Sequence, residues 1–175
     1  MNNNTFVHKY IKTLINKDDV VADMTAGNGN DTLFLCGLAK KVYAFDIQEE
    51  AITNTKNKVK DYDNVILIND NHINIDKYIK DSIKLAIFNL GYLPNSDSKL
   101  VTNKDETLIA FNKAYDLLNK DGYIVITFYI GHLGGKDEYY LIDKYIKDKK
   151  ILVLDKYKEN NNQLEPITYI IKKLW

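Results

Sequence analysis

Short apolar runs alternate with amphipathic segments along the chain, and this alternation constrains the fold more than any other feature of the sequence. The pattern is typical of parallel strands connected by helices. Strands are predicted at residues 20–24, 42–45, 65–68, 85–88 and 123–129, and helices at 6–15, 31–39, 49–60, 76–80, 106–119 and 138–147. Two final runs, 151–157 and 167–171, are close enough in sequence to form an antiparallel hairpin. The prediction is an α/β fold with a mostly parallel seven-stranded sheet, one reversed strand and helices on both faces.

Composition narrows the class of protein. The 175 residues, 45% hydrophobic and 27% charged, are enough for one hydrophobic core, so we expect a single domain over residues 1–175. The lone Cys36 cannot form an internal disulfide, which excludes a disulfide scaffold and favours a reducing compartment, the cytoplasm. No apolar run approaches the ~20 residues of a membrane span and the first residues do not resemble a signal peptide, so we expect neither membrane attachment nor export.

The charged residues disfavour broad, affinity-driven nucleic-acid binding. Formal net charge is zero, and all 24 basic residues are lysine. Without guanidinium groups the chain lacks the bidentate donors that clamp phosphates and guanine edges.

Ligands of open parallel sheets bind at the carboxyl ends of the strands. The first predicted strand ends in a glycine-rich segment whose members are Asp23, Thr25, Ala26, Gly27, Asn28, Gly29 and Asp31. Small residues there allow backbone amides to approach a ligand, and the following helix start favours negative groups. A dinucleotide fingerprint would need a third glycine where Thr32 stands, which weakens a nicotinamide interpretation. The alternative is a tight turn with an Asp31 helix cap and no ligand.

Acidic residues also close the next two strands. Asp46, followed by Ile47 and Gln48, is placed to accept both hydroxyls of a ribose, or simply caps a helix. Asp70, followed by Asn71 and His72, could take the amino group of an adenine, although turn formation is the commoner use of such an aspartate.

The fourth strand ends in Asn89-Leu90-Gly91-Tyr92-Leu93-Pro94. The Asn89 amide oxygen and the Leu90 carbonyl can accept hydrogens from a substrate amine and aim its lone pair, while Tyr92 offers a stacking face. The alternative is an apolar strand end that turns through glycine and proline.

The other candidate residues are His132, His8 and Cys36. His132, in a loop after the fifth strand, could bind a uracil or a phosphate or help deprotonate an ammonium group, or it is merely exposed. His8 is interpreted as part of the first helix and Cys36 as a small core residue. No His, Cys and acid cluster has the spacing of a metal site.

Four ordered motifs make the resemblance to a known family specific. They are residues 23–35, Phe45 to Gln48, Asn89 to Pro94, and Gly131-His132-Leu133-Gly134-Gly135, and together they resemble the small bacterial methyltransferases named rRNA methylases over almost the whole chain. The resemblance implies a Rossmann-like class I fold and S-adenosylmethionine as cofactor. It further implies methylation of the amine of 5-aminomethyl-(2-thio)uridine at the wobble position of the tRNA anticodon loop, and makes a homodimer plausible.

Carried over by position, the resemblance assigns Asp23, Thr25, Gly27 and Gly29 to the methionine half of the cofactor and Asp46 to the ribose. Asp70 and Asn71 lie on the adenine side, and Asn89 with the Leu90 carbonyl faces the amine. The expected catalytic set is Asn89, Leu90, Tyr92 and His132. Expected cofactor contacts are Asp23, Thr25, Ala26, Gly27, Asn28, Gly29, Asp31, Asp46, Ile47, Gln48, Asp70, Asn71, His72 and Asn89. The chain has Ile130 where some relatives carry a polar residue, so position 130 cannot accept a proton here.

Competing functions remain open on the sequence. A methyltransferase acting on rRNA or on a small-molecule amine suits the zero net charge, although lysines and stacked tyrosines such as Tyr92 and Tyr129 would suffice for an anticodon loop. A nicotinamide-dependent oxidoreductase, or a module that binds the cofactor without catalysis, are more distant alternatives.

Overall fold

A computed structural model describes residues 1–91, 103–160 and 164–175. Its strands are β1 Val20–Asp23, β2 Lys41–Asp46, β3 Val65–Asn69, β4 Ile83–Leu90, β5 Leu118–Phe128, β6 Leu152–Lys158 and β7 Ile167–Lys172. Its helices are α1 Asn3–Leu14, α2 Asn30–Cys36, α3 Glu49–Lys58, α4 Ile75–Tyr78, α5 Lys104–Leu117 and α6 Gly135–Asp148, and a 3₁₀ turn, His72–Asn74, precedes α4.

The strands form one seven-stranded sheet in the order β3-β2-β1-β4-β5-β7-β6. Strands β1 to β5 pair in parallel, whereas β7 runs antiparallel to both β5 and β6. The predicted parallel sheet with a reversed strand and a terminal hairpin is therefore confirmed. The strand order reverses direction at β1, so the ends of β1 and β4 flank the crevice where such sheets bind ligands.

Several predicted boundaries differ from the structure: the second predicted helix ends at Cys36 instead of residue 39, and the last one begins at Gly135 instead of residue 138. The largest change is at β5. The helix expected to reach residue 119 ends at Leu117, because Leu118 is already extended and pairs with Ile83 of β4. Asp121 then takes a positive φ of 58° before Gly122, which brings the chain into register with β4.

Helices cover both faces of the sheet, because neighbouring residues of a strand point to opposite sides. On β4, Ala86 and Phe88 join a core formed with α4, α5 and α6, while Leu85 and Ile87 join a second core formed with α1 and α2. Burial of one large side chain such as Phe88 contributes roughly 1.5–3 kcal/mol. Cys36 is buried in the second core, as the sequence predicts.

Within the described ranges, no helix combines the length and the apolar character that crossing a membrane would require.

Candidate active site

The loop between β1 and α2 is built on two glycines with left-handed backbones. Gly27 and Gly29 have φ values of 52° and 75°, a region in which side chains are disfavoured. A Cβ atom on Gly29 would also lie 2.8 Å from the Thr55 backbone of α3. Gly29 is the N-cap of α2, so the alternative in which Asp31 caps this helix is wrong. Asp31 lies in the first turn of α2 and lines the cavity described below.

Asp23 lies beneath this loop and is fully buried. Its carboxylate accepts hydrogen bonds from the Thr25 backbone N–H at 3.1 Å and from the Thr32 hydroxyl at 2.6 Å. Burial, assisted by the charge of Asp31, raises the pKa of Asp23 to about 7. In this structure Asp23 fixes the shape of the loop.

Asp46 ties the end of β2 to the same loop. One carboxylate oxygen accepts the Gly27 N–H at 2.9 Å and the other accepts the Gln48 N–H at 2.9 Å. Because a carboxylate offers about four acceptor positions, capacity remains for ribose hydroxyls. The next side chain, Ile47, is 59% exposed and presents an apolar surface beside that carboxylate.

Asp70 and its neighbours shape the end of β3. Asp70 accepts hydrogen bonds from the Asn71 N–H, the Asn74 amide and the Tyr78 hydroxyl, and the bonds from Tyr78 and Asn74 lower its pKa. Asn71 caps the 3₁₀ turn and donates to Glu106 at 2.9 Å. Burial lowers the pKa of His72, whose Nδ1 atom lies 3.0 Å from the Met24 carbonyl.

A cavity of about 250 Å³ opens between the glycine loop and the end of β4. Its walls come from α1, the β1–α2 loop, β4 and the segment after β5. The lining residues are Asn4, His8, Thr25, Ala26, Gly27, Asn28, Asn30, Asp31, Asn89, Gly91, Tyr129 and His132.

Asn89 stands at the centre of this cavity wall. Its backbone N–H donates to the Thr25 hydroxyl at 2.8 Å, and its Nδ2 donates to Asp31 at 3.0 Å. The carboxylate thus fixes which way the amide points. Its Oδ1 atom is buried and accepts no hydrogen bond from the residues that the structure describes. A buried acceptor without a donor is costly and suits a ligand N–H.

Asp31 connects Asn89 to the first helix. Its second oxygen accepts the His8 Nε2–H at 2.7 Å, and the His8 ring stacks on Phe34 of α2 at 3.8 Å. This contact was missed in the sequence, which places His8 and Asp31 23 residues apart. The available signal was the spacing of Asn4 and His8, which puts two polar side chains on one face of α1.

Tyr129 and His132, which follow β5, line the cavity beside Asn89. Their rings are parallel within 6°, with centroids 5.3 Å apart. Burial raises the pKa of the Tyr129 hydroxyl, the charge of Asp31 adds to the rise, and a hydrogen bond with the Asn89 side chain opposes it.

The cavity gathers part of the predicted set. Thr25, Ala26, Gly27, Asn28, Asp31, Asn89 and His132 line it, whereas Gly29, Asp23, Asp46, Ile47, Gln48, Asp70, Asn71 and His72 lie behind it or farther along the carboxyl edge of the sheet. The Leu90 side chain is buried in the core, and the adjacent Gly91 reaches the cavity. Tyr92 lies outside the described residues. The structure adds Asn4, His8, Asn30 and Gly91 to the expected site, and it places at the cavity Tyr129, which the sequence offered as a stacking residue.

These residues fit S-adenosylmethionine by charge and shape. The glycine loop leaves room for a ligand backbone, and the Asp31 carboxylate and Asn89 oxygen present negative charge to a cationic sulfur or ammonium. Asp46 and the exposed Ile47 offer the acceptor and the apolar face that a ribose and a base need.

Both a family model and solved structures match this chain. The model of the family described as "Putative rRNA methylase" matches residues 42–172. A crystal structure described as a "putative rRNA-methylase" from Clostridium thermocellum superposes with a TM-score of 0.91 at 38% identity, covering 99% of this chain and 98% of that one. A Streptococcus mutans protein described as a "putative methyltransferase", in complex with S-adenosylhomocysteine, superposes with a TM-score of 0.90 at 37% identity, covering 99% of both chains.

A curated relative from Arabidopsis thaliana is named as a chloroplastic tRNA (mnm(5)s(2)U34)-methyltransferase. It is 34% identical over 154 residues, which cover 79% of this chain and 56% of the relative. The chain therefore spans about half the length of this relative.

Proposed function

Because the chain belongs to the rRNA methylase family, we propose that it transfers a methyl group to the aminomethyl nitrogen of 5-aminomethyl-(2-thio)uridine at the wobble position of tRNA. The product is the methylaminomethyl nucleoside. The observation that carries this proposal is the Asn89 amide, whose orientation is fixed by Asp31 and whose Oδ1 is buried without a donor among the described residues.

The cofactor is S-adenosylmethionine, and the fold is that of class I methyltransferases. When bound, it supplies a methyl group on a positively charged sulfur. The glycine loop, held by Asp23 and Asp46 from below, receives its methionine part, while Asp46 accepts ribose hydroxyls. The segment 70–72 borders the adenine, with Asp70 maintaining the turn and His72 packed behind it.

The Asn89 oxygen accepts a hydrogen from the substrate amine and orients its lone pair toward the cofactor. Holding the reacting atoms in line in a pocket that excludes water accounts for much of the acceleration that such a reaction needs. The Leu90 carbonyl and Tyr92 are proposed to complete the amine and base contacts.

Tyr129 and His132 suit the uridine ring. Two parallel rings at the cavity wall provide a flat face, and aromatic faces bind unstacked bases with about 1–3 kcal/mol per base. An exposed wobble base can reach such a wall without melting a helix. The partner is therefore proposed to be the anticodon loop, held by lysines and aromatic side chains; the homodimer and the cytoplasm stay predictions.

A second candidate is methylation of a small-molecule amine. The zero net charge and the absence of arginine favour it, since neither helps to bind a polyanion.

One experiment separates these substrates. The purified protein and isotope-labelled S-adenosylmethionine are incubated in three separate reactions. The substrates are tRNA lacking the final wobble methyl, rRNA, and the free aminomethyl nucleoside. Nucleoside mass spectrometry should find label in methylaminomethyl-uridine from tRNA. Label found only in rRNA or only in the free nucleoside would contradict the tRNA proposal. If a parallel titration shows that S-adenosylhomocysteine does not bind, the proposed cofactor site is wrong.

A further inference from the structure

The first helix supplies a histidine to the cavity that holds Asn89. His8 lines the cavity, and its Nε2–H donates to Asp31 at 2.7 Å. The other oxygen of the same carboxylate accepts the Asn89 amide at 3.0 Å. Asp31 therefore places an imidazole and the proposed amine acceptor side by side, although they come from α1 and β4.

The contact with Asp31 selects the histidine tautomer. A neutral imidazole that donates through Nε2 carries an acceptor lone pair on Nδ1. Among the described residues no hydrogen bond to Nδ1 is present, and this atom is not one of the buried polar atoms that lack a partner, so it is accessible from the cavity or from solvent. A carboxylate that holds one ring nitrogen also stabilises the imidazolium formed when the other nitrogen takes a proton.

The position of His8 is fixed by contacts on both sides. Its ring stacks on Phe34 at an interplanar angle of 3°. At the start of α1, the buried Asn3 accepts a hydrogen bond from Thr168 of β7 at 2.8 Å, and Phe6 stacks on Tyr157 of β6 at 3.9 Å. These contacts anchor α1 to β6 and β7, while its polar face lines the cavity. The His8 ring is therefore held in a fixed position, as a functional side chain requires.

We propose that His8 is the general base that removes a proton from the substrate ammonium group, with Asp31 orienting its ring. This proposal rests on the proposed function, because an aminomethyl group is an ammonium ion for much of the neutral pH range and must lose a proton before its nitrogen can attack carbon. One ammonium N–H bond breaks, an N–H bond forms at His8 Nδ1, and the electron pair stays on the amine nitrogen. The proton then passes from the imidazolium to water.

The titratable and charged groups around His8 come from several elements. Asp31 of α2 binds it directly, and Asp23 of β1 lies behind Asp31 within electrostatic range. Lys12, one turn along α1, lies over the Phe34 ring at 5.8 Å. Tyr129 and His132 line the same cavity after β5. Asp31 is the group among these that contacts the imidazole through a hydrogen bond, so it sets the orientation of the His8 ring.

Two variants separate the proton-accepting role from packing. His8→Gln keeps an N–H donor for Asp31 but has no basic nitrogen, and His8→Phe keeps a ring for stacking on Phe34 but has no nitrogen. Transfer of label to aminomethyl-uridine tRNA is measured at saturating cofactor from pH 6 to pH 9. S-adenosylhomocysteine affinity and the unfolding midpoint are measured for each variant.

The expected result is a pH-dependent loss. At pH 6.5 both variants should transfer label at least tenfold more slowly than the wild type, because general-base catalysis contributes about 10²–10⁴-fold. The deficit should shrink toward threefold at pH 9, where more of the amine is already neutral. S-adenosylhomocysteine affinity should stay within threefold of the wild type. In addition, ¹⁵N spectra of the histidine rings should show the Nε2–H tautomer for the signal lost in His8→Gln.

Other results overturn the assignment. A wild type that transfers label and a His8→Gln that matches it at every pH would remove His8 from the reaction and leave the proposed function intact. A deficit that is equal at all pH values would mean that His8 only positions the site. A wild type that transfers no label would refute the proposed function, and the His8 assignment with it.

Discussion

Two regions of the ligand edge use their carboxylates differently. At the acidic edge, which consists of Asp23, Asp46 and Asp70, each carboxylate accepts at least two hydrogen bonds from the loops and helix starts at this edge of the sheet. At the amine wall, which consists of His8, Asp31, Asn89, Tyr129 and His132, the acid binds side chains from two other elements and the Asn89 oxygen is left without a donor among the described residues.

The difference shows how one edge serves two tasks. The acidic edge shapes loops before any ligand arrives, so that the cofactor meets a prepared surface and little ordering cost remains. The amine wall instead leaves the Asn89 oxygen without a donor among the described residues, and the proposed function assigns this acceptor to the substrate amine. Variants of the first region should change loop stability and cofactor affinity, whereas variants of the second should change the transfer rate.

The largest effect is expected from a methyl group added to the glycine loop. Gly29→Ala combines a left-handed backbone, which costs about 1–2 kcal/mol, with a contact of 2.8 Å to the Thr55 backbone, which costs about 1–3 kcal/mol more. Gly134→Ala is the matched control, since Gly134 has a φ of 78° but nothing within 4 Å of its added Cβ. Urea unfolding should show a larger loss for Gly29→Ala, accompanied by loss of S-adenosylhomocysteine binding. Equal losses in the two variants would mean that the close approach to α3 is unimportant.

Removal of the Asn89 amide should affect the rate and spare the cofactor. Asn89→Ala loses the amine acceptor but keeps the backbone N–H that binds Thr25, so the loop stays in place. The transfer rate at saturating cofactor should fall roughly hundredfold, in line with the loss of one well-placed polar contact, while the Kd for S-adenosylhomocysteine changes less than threefold. Asn57→Ala, on an exposed position of α3, serves as the control. If the Kd for S-adenosylhomocysteine rises as much as the transfer rate falls, Asn89 also binds the cofactor, and the two regions do not have separate roles.

Asp46→Asn tests the acidic edge, which is expected to control cofactor affinity. An amide retains one acceptor oxygen, so one of the two N–H groups of Gly27 and Gln48 loses its partner, and a ribose acceptor is weakened. The Kd for S-adenosylhomocysteine, measured by calorimetry, should rise about tenfold, since each 1.4 kcal/mol is tenfold in affinity. The transfer rate at saturation should change little. Asp63→Asn, at an exposed site, should leave both quantities unchanged.

The last of these predictions concerns how the free energy of unfolding depends on pH. Burial raises the pKa of Asp23 to about 7, so the folded state holds a proton that the unfolded chain has already released above pH 4. Asp23 therefore favours folding most at low pH, and this contribution is lost as pH rises through about 7. Asp23→Asn should flatten the fall in unfolding free energy between pH 5 and pH 7 by at most about 1.4 kcal/mol per pH unit. Parallel pH profiles for the two proteins would contradict the buried, protonated carboxyl.

Sequence patterns predicted the sheet because each strand carries its own evidence. Apolar runs such as Val21 to Ala22 and Leu85 to Phe88 are buried on both faces of the sheet. A continuous apolar run of this kind can be recognised as a strand without knowing which strands pair with it. The sequence also predicted Thr25, Gly27 and Asn89 as site residues, and all three line the cavity. This prediction needed only the topology, because the carboxyl ends of neighbouring parallel strands lie at the same edge of the sheet.

The remaining part of the site depends on tertiary contacts. The spacing of Asn4 and His8 indicates a polar face on α1, but it does not indicate that His8 meets Asp31, because that contact requires the helix to pack beside α2 on one face of the sheet. The use of Asp23 was equally hidden, since a buried acid that holds Thr25 and Thr32 has the same sequence signature as one that touches a ligand. Strand-end position identifies the edge, and hydrogen-bond partners decide what each acid does there.

The central claim, that the amine wall presents a wobble aminomethyl group for methylation, is tested most directly with two synthetic anticodon stem-loops. One carries 5-aminomethyl-2-thiouridine at the wobble position, and the other carries 2-thiouridine there. With labelled S-adenosylmethionine, the first should yield labelled methylaminomethyl-2-thiouridine and the second should yield no label. Equal labelling of both stem-loops, or label in neither while S-adenosylhomocysteine still binds, would contradict the account.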